Sequence, residues 1–178
     1  KTRPFSRTEY HRLAEAGVLT EDDRVELLEG AIAAMSPIGP YHSGVVDFLG
    51  NFFKSALGAR AIVRVQNPLA LGPDSEPQPD LLLLKPRDDF YRHAHPTAAD
   101  VFLLIEVADA SLEVDCDYKA RLYARAAVPE YWVVDLVRQV ILVHRQPTAD
   151  RYASVVDYAR GTRVTPDAYH DVQLSVAD

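Results

Sequence analysis

The run Val101-Phe-Leu-Leu-Ile-Glu-Val107 constrains the fold more than any other part of the sequence, because it is apolar at all but one position. Apolar residues occupy both phases of a two-residue alternation, so the run predicts a β-strand that is buried on both faces. Glu106 lies near the end of this strand, where a carboxylate is costly unless a metal, a cation or hydrogen bonds compensate it. We therefore expect Glu106 to be a paired or ligand-binding acid inside the protein.

A second acid, Asp80, stands at the start of another apolar run. It follows Pro79 and precedes four leucines at residues 81–84. Two carboxylates at the ends of adjacent buried strands can meet at one point, and oxygen ligands placed in this way suit Mg²⁺. A simpler interpretation stays open, since an aspartate after a proline also starts strands and caps turns.

Lys119 is the third candidate, within a helix predicted around residues 115–128. The other members of its helical stripe are Leu122, Tyr123 and Ala126. Because this stripe should face the sheet, Lys119 is drawn inward and needs an anion, for which Glu106 is the obvious candidate. An internal ion pair with Glu106, or a pair with Asp115 one turn earlier, also explains the lysine. Each residue alone favours a structural role, but the three together, on strand, strand and helix, favour a site.

Three further polar residues are accessory candidates. Glu26 and Glu29 belong to a predicted hairpin over residues 24–35, where they are most simply solvated or turn residues, although one of them could reach the metal. His42 lies one step along the apolar stripe of a helix predicted over residues 40–57. The stripe consists of Val45, Leu49, Phe52 and Ala56. A histidine there is usually a hydrogen-bonded boundary residue, and the alternative is that it lines the site.

The sequence does not indicate a metal site built from cysteine or from the loop histidines. Cys116 is the only cysteine, which excludes an internal disulfide and a cysteine-based zinc site. His93 and His95 lie two residues apart in the polar stretch 85–100, but exposed loop histidines without a third ligand seldom bind a metal tightly. We predict a surface loop at this place.

Composition and charge are those of an ordinary globular protein, with 48% hydrophobic and 25% charged residues among 178. The length favours one domain over residues 1–178, with an N-terminal helix and hairpin (1–40), a core (41–145) and C-terminal strands (146–178). The net charge of −7 speaks against non-specific nucleic-acid binding but leaves room for a local basic groove. No apolar run approaches the ~20 residues that span a bilayer, and no signal peptide is visible, so we expect a cytoplasmic protein without a membrane partner.

The remaining pattern predicts a mixed α/β domain with a central sheet flanked by helices. Ser6 and Glu9 form a capping-box pattern at the start of a helix that should end before Gly17. Further strands are expected over residues 61–71, 130–135, 139–145, 151–158 and 172–176. The late pair 139–145 and 151–158 should form a partly apolar sheet edge that invites pairing with a second copy, so we predict a homodimer.

The ordered set of motifs resembles the Uma-type family of restriction endonucleases, within the PD-(D/E)XK nuclease superfamily. The resemblance covers residues 8–145 and rests on Val25-Glu-Leu-Leu-Glu-Gly30, Met35-Ser-Pro37, His42, Gln78-Pro-Asp80, Ile105-Glu-Val107 and Tyr123-Ala-Arg-Ala-Ala-Val-Pro-Glu-Tyr-Trp132. It implies a restriction-endonuclease-like core that hydrolyses DNA phosphodiester bonds. A nuclease-fold module without catalysis, or a nuclease selective for RNA or for structure, is the alternative.

The resemblance also implies roles for the candidate residues. Asp80 and Glu106 would hold Mg²⁺ or Mn²⁺, and a lysine would orient or activate the attacking water. The sequence departs from the family pattern at Ala108, where the lysine normally stands, so Lys119 would supply the ammonium from the following helix. Gln66 could add a hydrogen bond, and Tyr123 on the Lys119 stripe is a further accessory candidate.

Overall fold

The computed structural model describes residues 3–20, 22–109 and 114–176, with the side chains of residues 114–116 outside that description. Three α-helices lie in this part of the chain: α1 (Arg7–Glu15), α2 (Pro40–Leu57) and α3 (Ala120–Arg125). The strands are β1 (Val25–Leu28), β2 (Ala31–Ala34), β3 (Ile62–Val65), β4 (Leu81–Leu84), β5 (Val101–Ala108), β6 (Glu130–Asp135), β7 (Val140–Pro147), β8 (Tyr152–Ala159), β9 (Arg163–Val164) and β10 (Leu174–Ser175). Short 3-10 turns occupy Gly58–Arg60 and Ala98–Asp100, and a π-helical turn, Val114–Lys119, leads into α3.

The central sheet has six strands in the order β3-β4-β5-β6-β7-β8. Strands β5 and β6 are parallel, and all other neighbours in this sheet are antiparallel. A parallel pair needs a long connection, and the segment that carries α3 supplies it. The predicted α/β fold with a mixed central sheet is confirmed.

Strands β4 and β5 lie between two hydrophobic layers, one on each face of the sheet. Leu81 and Ile105 pack on the side of α2, whereas Leu82 and Leu104 pack on the side of α3. All four side chains are fully buried, and burial of each leucine or isoleucine contributes about 1.5–3 kcal/mol. The prediction of a strand buried on both faces is therefore confirmed for β5.

The first two helices begin and end where their capping residues predict. Ser6 caps α1 in a full capping box with Glu9, and α2 runs from Pro40 to a left-handed Gly58. The buried stripe of α2 differs from the predicted one and consists of Val46, Leu49, Gly50, Phe53 and Leu57. Ala56, which we placed on that stripe, is exposed. Within the described ranges, no helix is both long and apolar enough to cross a membrane.

Two predicted elements are shorter than expected. The strand predicted over residues 61–71 stops at Val65, because Gln66 adopts a left-handed backbone conformation with φ of 51°. The helix predicted around 115–128 starts as a π-helical turn and ends at Arg125, just before the left-handed Ala127. In both places a local backbone conformation overrides the periodic pattern of the side chains.

The late strands form the predicted pair. Strand β7 pairs with β8 along its length, and β8 is the last strand of the sheet, with Val155 and Val156 exposed. The predicted C-terminal strand is reduced to β10, which pairs with β9 in a separate two-stranded sheet.

The β1–β2 hairpin forms within the predicted range 24–35, makes a two-stranded sheet of its own and turns at Glu29 and Gly30. Gly30 has φ of 79°, and a Cβ atom there would lie 2.3 Å from the Cβ of Pro4. The hairpin is held to the domain by a hydrogen bond of 2.7 Å from the Glu76 amide to the Leu27 carbonyl. This attachment brings Glu26 to the end of β4.

Candidate active site

Asp80 and Glu106 are brought together by the register of β4 and β5. Leu81 pairs with Ile105, so the two acids are the next residues along the ladder. The Asp80 amide donates to Glu106 Oε2 at 3.3 Å, and the Val107 amide donates to Asp80 Oδ2 at 2.8 Å. Asp80 is 8% exposed and Glu106 is 4% exposed. Two buried carboxylates thus lie side by side at the end of two central strands.

Lys119 points to the same place from the last residue of the π-helical turn. Its Nζ lies 3.0 Å from Glu106 Oε1 and 3.2 Å from Glu26 Oε1, and the residue is 8% exposed. The expected inward stripe is therefore observed, and Lys119 faces Glu106. The alternative partner Asp115 has its side chain outside the described residues.

Tyr123, one turn further along the helix, also contacts Glu106. Its hydroxyl donates to Glu106 Oε1 at 2.8 Å. Burial, followed by the negative charge of Glu106, raises the pKa of Tyr123 well above its usual value. The phenol therefore stays protonated and remains a hydrogen-bond donor to the carboxylate.

The two hairpin acids have different surroundings. Glu26 is buried and accepts a hydrogen bond of 3.1 Å from the Gln78 amide through Oε2. Glu29 instead forms an ion pair of 2.7 Å with Arg125. The structure thus brings Glu26 to the candidate site, where sequence reasoning had favoured a solvated residue, and leaves Glu29 outside it.

His42 and Gln66 contact the other carboxylate, that of Asp80. His42 Nε2 lies 3.2 Å from Asp80 Oδ2, and Gln66 Nε2 donates to Asp80 Oδ1 at 3.2 Å. The hydrogen bond with Asp80 raises the pKa of His42 against the opposing effect of burial. Within the described part of the chain, His42 Nδ1 is buried without a hydrogen-bond partner.

A cavity of about 250 Å³, which we call the acid cavity, lies beside the two carboxylates. Its walls include Arg24, Glu26, Met35, His42, Gln66, Gln78, Asp80, Glu106 and Lys119. Gln78 and Arg24 were not predicted as cavity residues, although Gln78 belongs to the motif that ends in Asp80. Three carboxylates share the cavity with one lysine, one arginine and one histidine.

Asp80 and Glu106 offer the donor set of a hard divalent cation. Mg²⁺ is commonly bound through one or two carboxylates, with water and substrate phosphate oxygens as the other ligands. The buried acid pair supplies such carboxylates, and a bound cation would offset their negative charge inside the protein. The residues present therefore fit Mg²⁺ or Mn²⁺.

The polar loop over residues 85–100 is only partly as predicted. His93 is exposed, as expected for a surface loop, but His95 is half-buried and its ring stacks on His11. Burial lowers the pKa of His95. The stacking partner His11 belongs to α1, which is distant in sequence, so the loop pattern alone could not indicate this contact.

Comparison with known proteins places the chain among nuclease families. Residues 7–177 match the family described as "Uma2: Putative restriction endonuclease", and the chain belongs to this family. The resemblance predicted from the motifs is thereby confirmed. No protein of curated function is significantly similar to the chain.

The fold also has a solved counterpart. It is similar to the "putative nuclease belonging to DUF820" from Anabaena variabilis ATCC 29413, with a TM-score of 0.77 and 17% sequence identity. The similarity covers 97% of this chain and 96% of the other. At this identity the likeness establishes the fold, and the family assignment supports a nuclease.

Proposed function

We propose that the chain is a metal-dependent endonuclease that hydrolyses DNA phosphodiester bonds. The observation that carries this proposal is the meeting of Asp80, Glu106 and Lys119 in one cavity, in a chain of the Uma2 family. The family description supports a nucleic-acid substrate, and the buried acid pair supports the use of a divalent cation.

Each residue has a chemical task in this proposal. Asp80 and Glu106 would hold Mg²⁺ or Mn²⁺, which when bound makes a water molecule more acidic and offsets charge on the phosphoryl group. Lys119 would stabilise the negative charge that develops on the phosphate oxygens, or hold the attacking water. Tyr123 positions Glu106 through its hydrogen bond of 2.8 Å, and Glu26 positions Lys119 through the ion pair of 3.2 Å.

We infer that Lys119 takes the place of the lysine that the family pattern has at the position of Ala108. Glu106 and Ala108 lie on the same face of β5, because side chains two residues apart in a strand point the same way. Ala108 is buried in the layer on the α3 side, and Lys119 approaches from that side. Lys119 therefore approaches the Glu106 carboxylate from the same side as a lysine at position 108 would.

A non-catalytic nuclease-fold module is the second candidate. It is favoured by the net charge of −7 and by the engagement of Lys119 with two acids inside the protein. In that case Lys119, Glu26 and Glu106 would form a charge cluster that only stabilises the fold.

A homodimer remains part of the proposal. The exposed edge strand β8, with Val155 and Val156 on its surface, offers unpaired backbone groups to a second copy. Two copies related by a twofold axis could address both strands of a DNA duplex.

Metal binding and cleavage test the proposal together. Mg²⁺ or Mn²⁺ at about a hundred times its Kd should stabilise the folded protein by about 2.7 kcal/mol, measured as a rise in melting temperature. Asp80→Asn and Glu106→Gln should lose this rise, whereas the control Asp88→Asn, on an exposed loop, should keep it. Lys119→Ala should still bind metal but fail to cleave.

Supercoiled plasmid and single-stranded RNA, each incubated with metal, are the substrates for the cleavage assay. Nicking of the plasmid by the wild type and not by Asp80→Asn supports a DNA endonuclease, and cleavage of RNA alone would move the proposal to an RNA nuclease. Absence of any metal-induced stabilisation at millimolar concentration would instead favour the non-catalytic module.

A further inference from the structure

A second group of ligand-type side chains lies outside the acid cavity. His11, Glu76 and His95 each offer one donor atom, and these three atoms lie within 4.8 Å of one another. The closest pair is His11 Nε2 and Glu76 Oε2, at 2.9 Å. The rings of His11 and His95 are nearly parallel, with centroids 6.1 Å apart. None of the three residues lines the acid cavity.

The three side chains come from separate segments whose backbones are held in place. His11 belongs to α1, which is fixed at its start by the Ser6 capping box. The Glu76 amide donates to the Leu27 carbonyl at 2.7 Å, and the residue after His95, Pro96, accepts from the Ala70 amide at 2.8 Å. Anchored backbones reduce the entropy that is lost when the side chains close on a ligand.

Glu76 is the buried member, with 3% of the residue exposed. Its Oε2 also lies 3.2 Å from Arg7 Nε. A carboxylate has two oxygens and about four lone-pair positions, so Glu76 can keep Arg7 while it binds a second cation. The ring of His95, in the described part of the chain, makes no hydrogen bond that would occupy its nitrogen atoms.

We propose that His11, Glu76 and His95 form a second metal site, which takes a divalent transition-metal ion of the zinc type. Two imidazoles and one carboxylate are a ligand set that zinc accepts, with a water in the fourth position. Imidazole ligands suit zinc, copper and nickel, whereas magnesium prefers oxygen ligands alone. The site is thus chemically distinct from the acid cavity.

Closure around such an ion requires only side-chain movement. Zinc with bonds of about 2.1 Å in tetrahedral geometry holds its donors about 3.4 Å apart. The donor atoms of His11 and Glu76 are 2.9 Å apart, which is already less than this distance. The donor atom of His95 lies within 4.8 Å of both, so it must move by on the order of 1–2 Å to reach tetrahedral spacing. A half-buried loop histidine can make this shift by rotation about its side-chain bonds.

The site would attach α1 to the rest of the domain. None of the residues of α1 is buried, so the helix gains little from hydrophobic packing. Its attachment rests on polar contacts, such as the Tyr10 hydroxyl at 3.2 Å from the Val25 carbonyl and the Arg7 and His11 contacts with Glu76. An ion shared by His11, Glu76 and His95 would link α1 to two loops, and this binding energy would add to the stability of the fold.

Titration of the tag-free chain with ZnCl₂ in a calorimeter tests the site, with CoCl₂ absorption as the spectroscopic probe of tetrahedral coordination. We expect one zinc ion per chain and a zinc-dependent rise in melting temperature. His95→Ala should weaken zinc binding by at least 10–100-fold, the loss that even outer-shell partners of a metal cause. The matched control His93→Ala, an exposed histidine of the same loop, should bind zinc like the wild type.

Further variants separate this site from the other possible ligands. His11→Gln, on the half-buried side of α1, should also lose zinc, which guards against a folding defect in His95→Ala. The double variant Asp80→Asn with Glu106→Gln, and Cys116→Ser, should retain zinc binding. Equal zinc affinity in the His95→Ala and His93→Ala proteins, or loss of zinc only in the acid-cavity variant, would overturn the proposal.

Discussion

Replacement of Lys119 by methionine removes the ammonium group that lies between Glu26 and Glu106. That ammonium is 3.0 Å from one carboxylate and 3.2 Å from the other, and Lys119 is only 8% exposed. Methionine keeps most of the apolar stem of lysine, so the loss of packing is small. The two carboxylates are then left buried without the cation between them.

The expected cost is large for a single substitution. Removal of one partner of a buried ion pair costs about 3–5 kcal/mol, because the remaining charge stays buried. In a chain of 178 residues, each kcal/mol lowers the melting temperature by roughly 2–4 °C. The expected fall is therefore on the order of 6–20 °C.

Urea unfolding at neutral pH, in the absence of divalent metal, measures the free energy of unfolding of Lys119→Met against the wild type. The deficit should shrink in a second variant that also carries Glu26→Gln, since that change removes one of the two facing negative charges. Lys54→Met, at an exposed position of α2, is the matched control and should stay within about 0.5 kcal/mol of the wild type. A deficit for Lys119→Met below about 1 kcal/mol, the range of exposed pairs, would refute the buried pairing.

Two further predictions concern association and pH. Sedimentation should give about twice the chain mass of 19.8 kDa, and Val155→Lys on the β8 edge should convert the dimer to a monomer while the exposed control Val18→Lys does not; a monomeric wild type contradicts the dimer. Burial lowers the pKa of His144, which lies 3.2 Å from the Tyr131 carbonyl. As the pH falls through 6.5, the ordinary pKa of histidine, His144 takes up a proton more readily in the unfolded chain than in the folded protein. The free energy of unfolding therefore decreases as the pH falls. Urea midpoints should fall less on acidification in His144→Asn than in the wild type or in His93→Asn, and equal falls would contradict this.

The sheet and the acid pair were predictable because their signals are local and strong. A continuous apolar run such as residues 101–107 has few alternatives to an internal strand, and its single acid stands out. The inward stripe of Lys119 follows from helical periodicity alone. These patterns were sufficient to indicate that Asp80, Glu106 and Lys119 would meet.

Other features depend on contacts between segments far apart in sequence. Nothing in the hairpin pattern distinguishes Glu26 from Glu29, since only the docking of the hairpin beside Gln78 decides which acid is buried. The left-handed conformation of Gln66 interrupts an otherwise strand-like sequence. The approach of His95 to α1 requires the three-dimensional path of two loops.

The β1–β2 hairpin gives the acid cavity a thermodynamic coupling to the periphery of the molecule. Folded proteins open in partial cooperative units, and a small two-stranded sheet beside the main one is a natural unit of this kind. Opening of the hairpin would take Glu26 away from Lys119, while the ion pair between Lys119 and Glu106 lies outside the hairpin. A ligand that prefers the closed arrangement would therefore slow amide exchange throughout the hairpin, including at residues that it never touches.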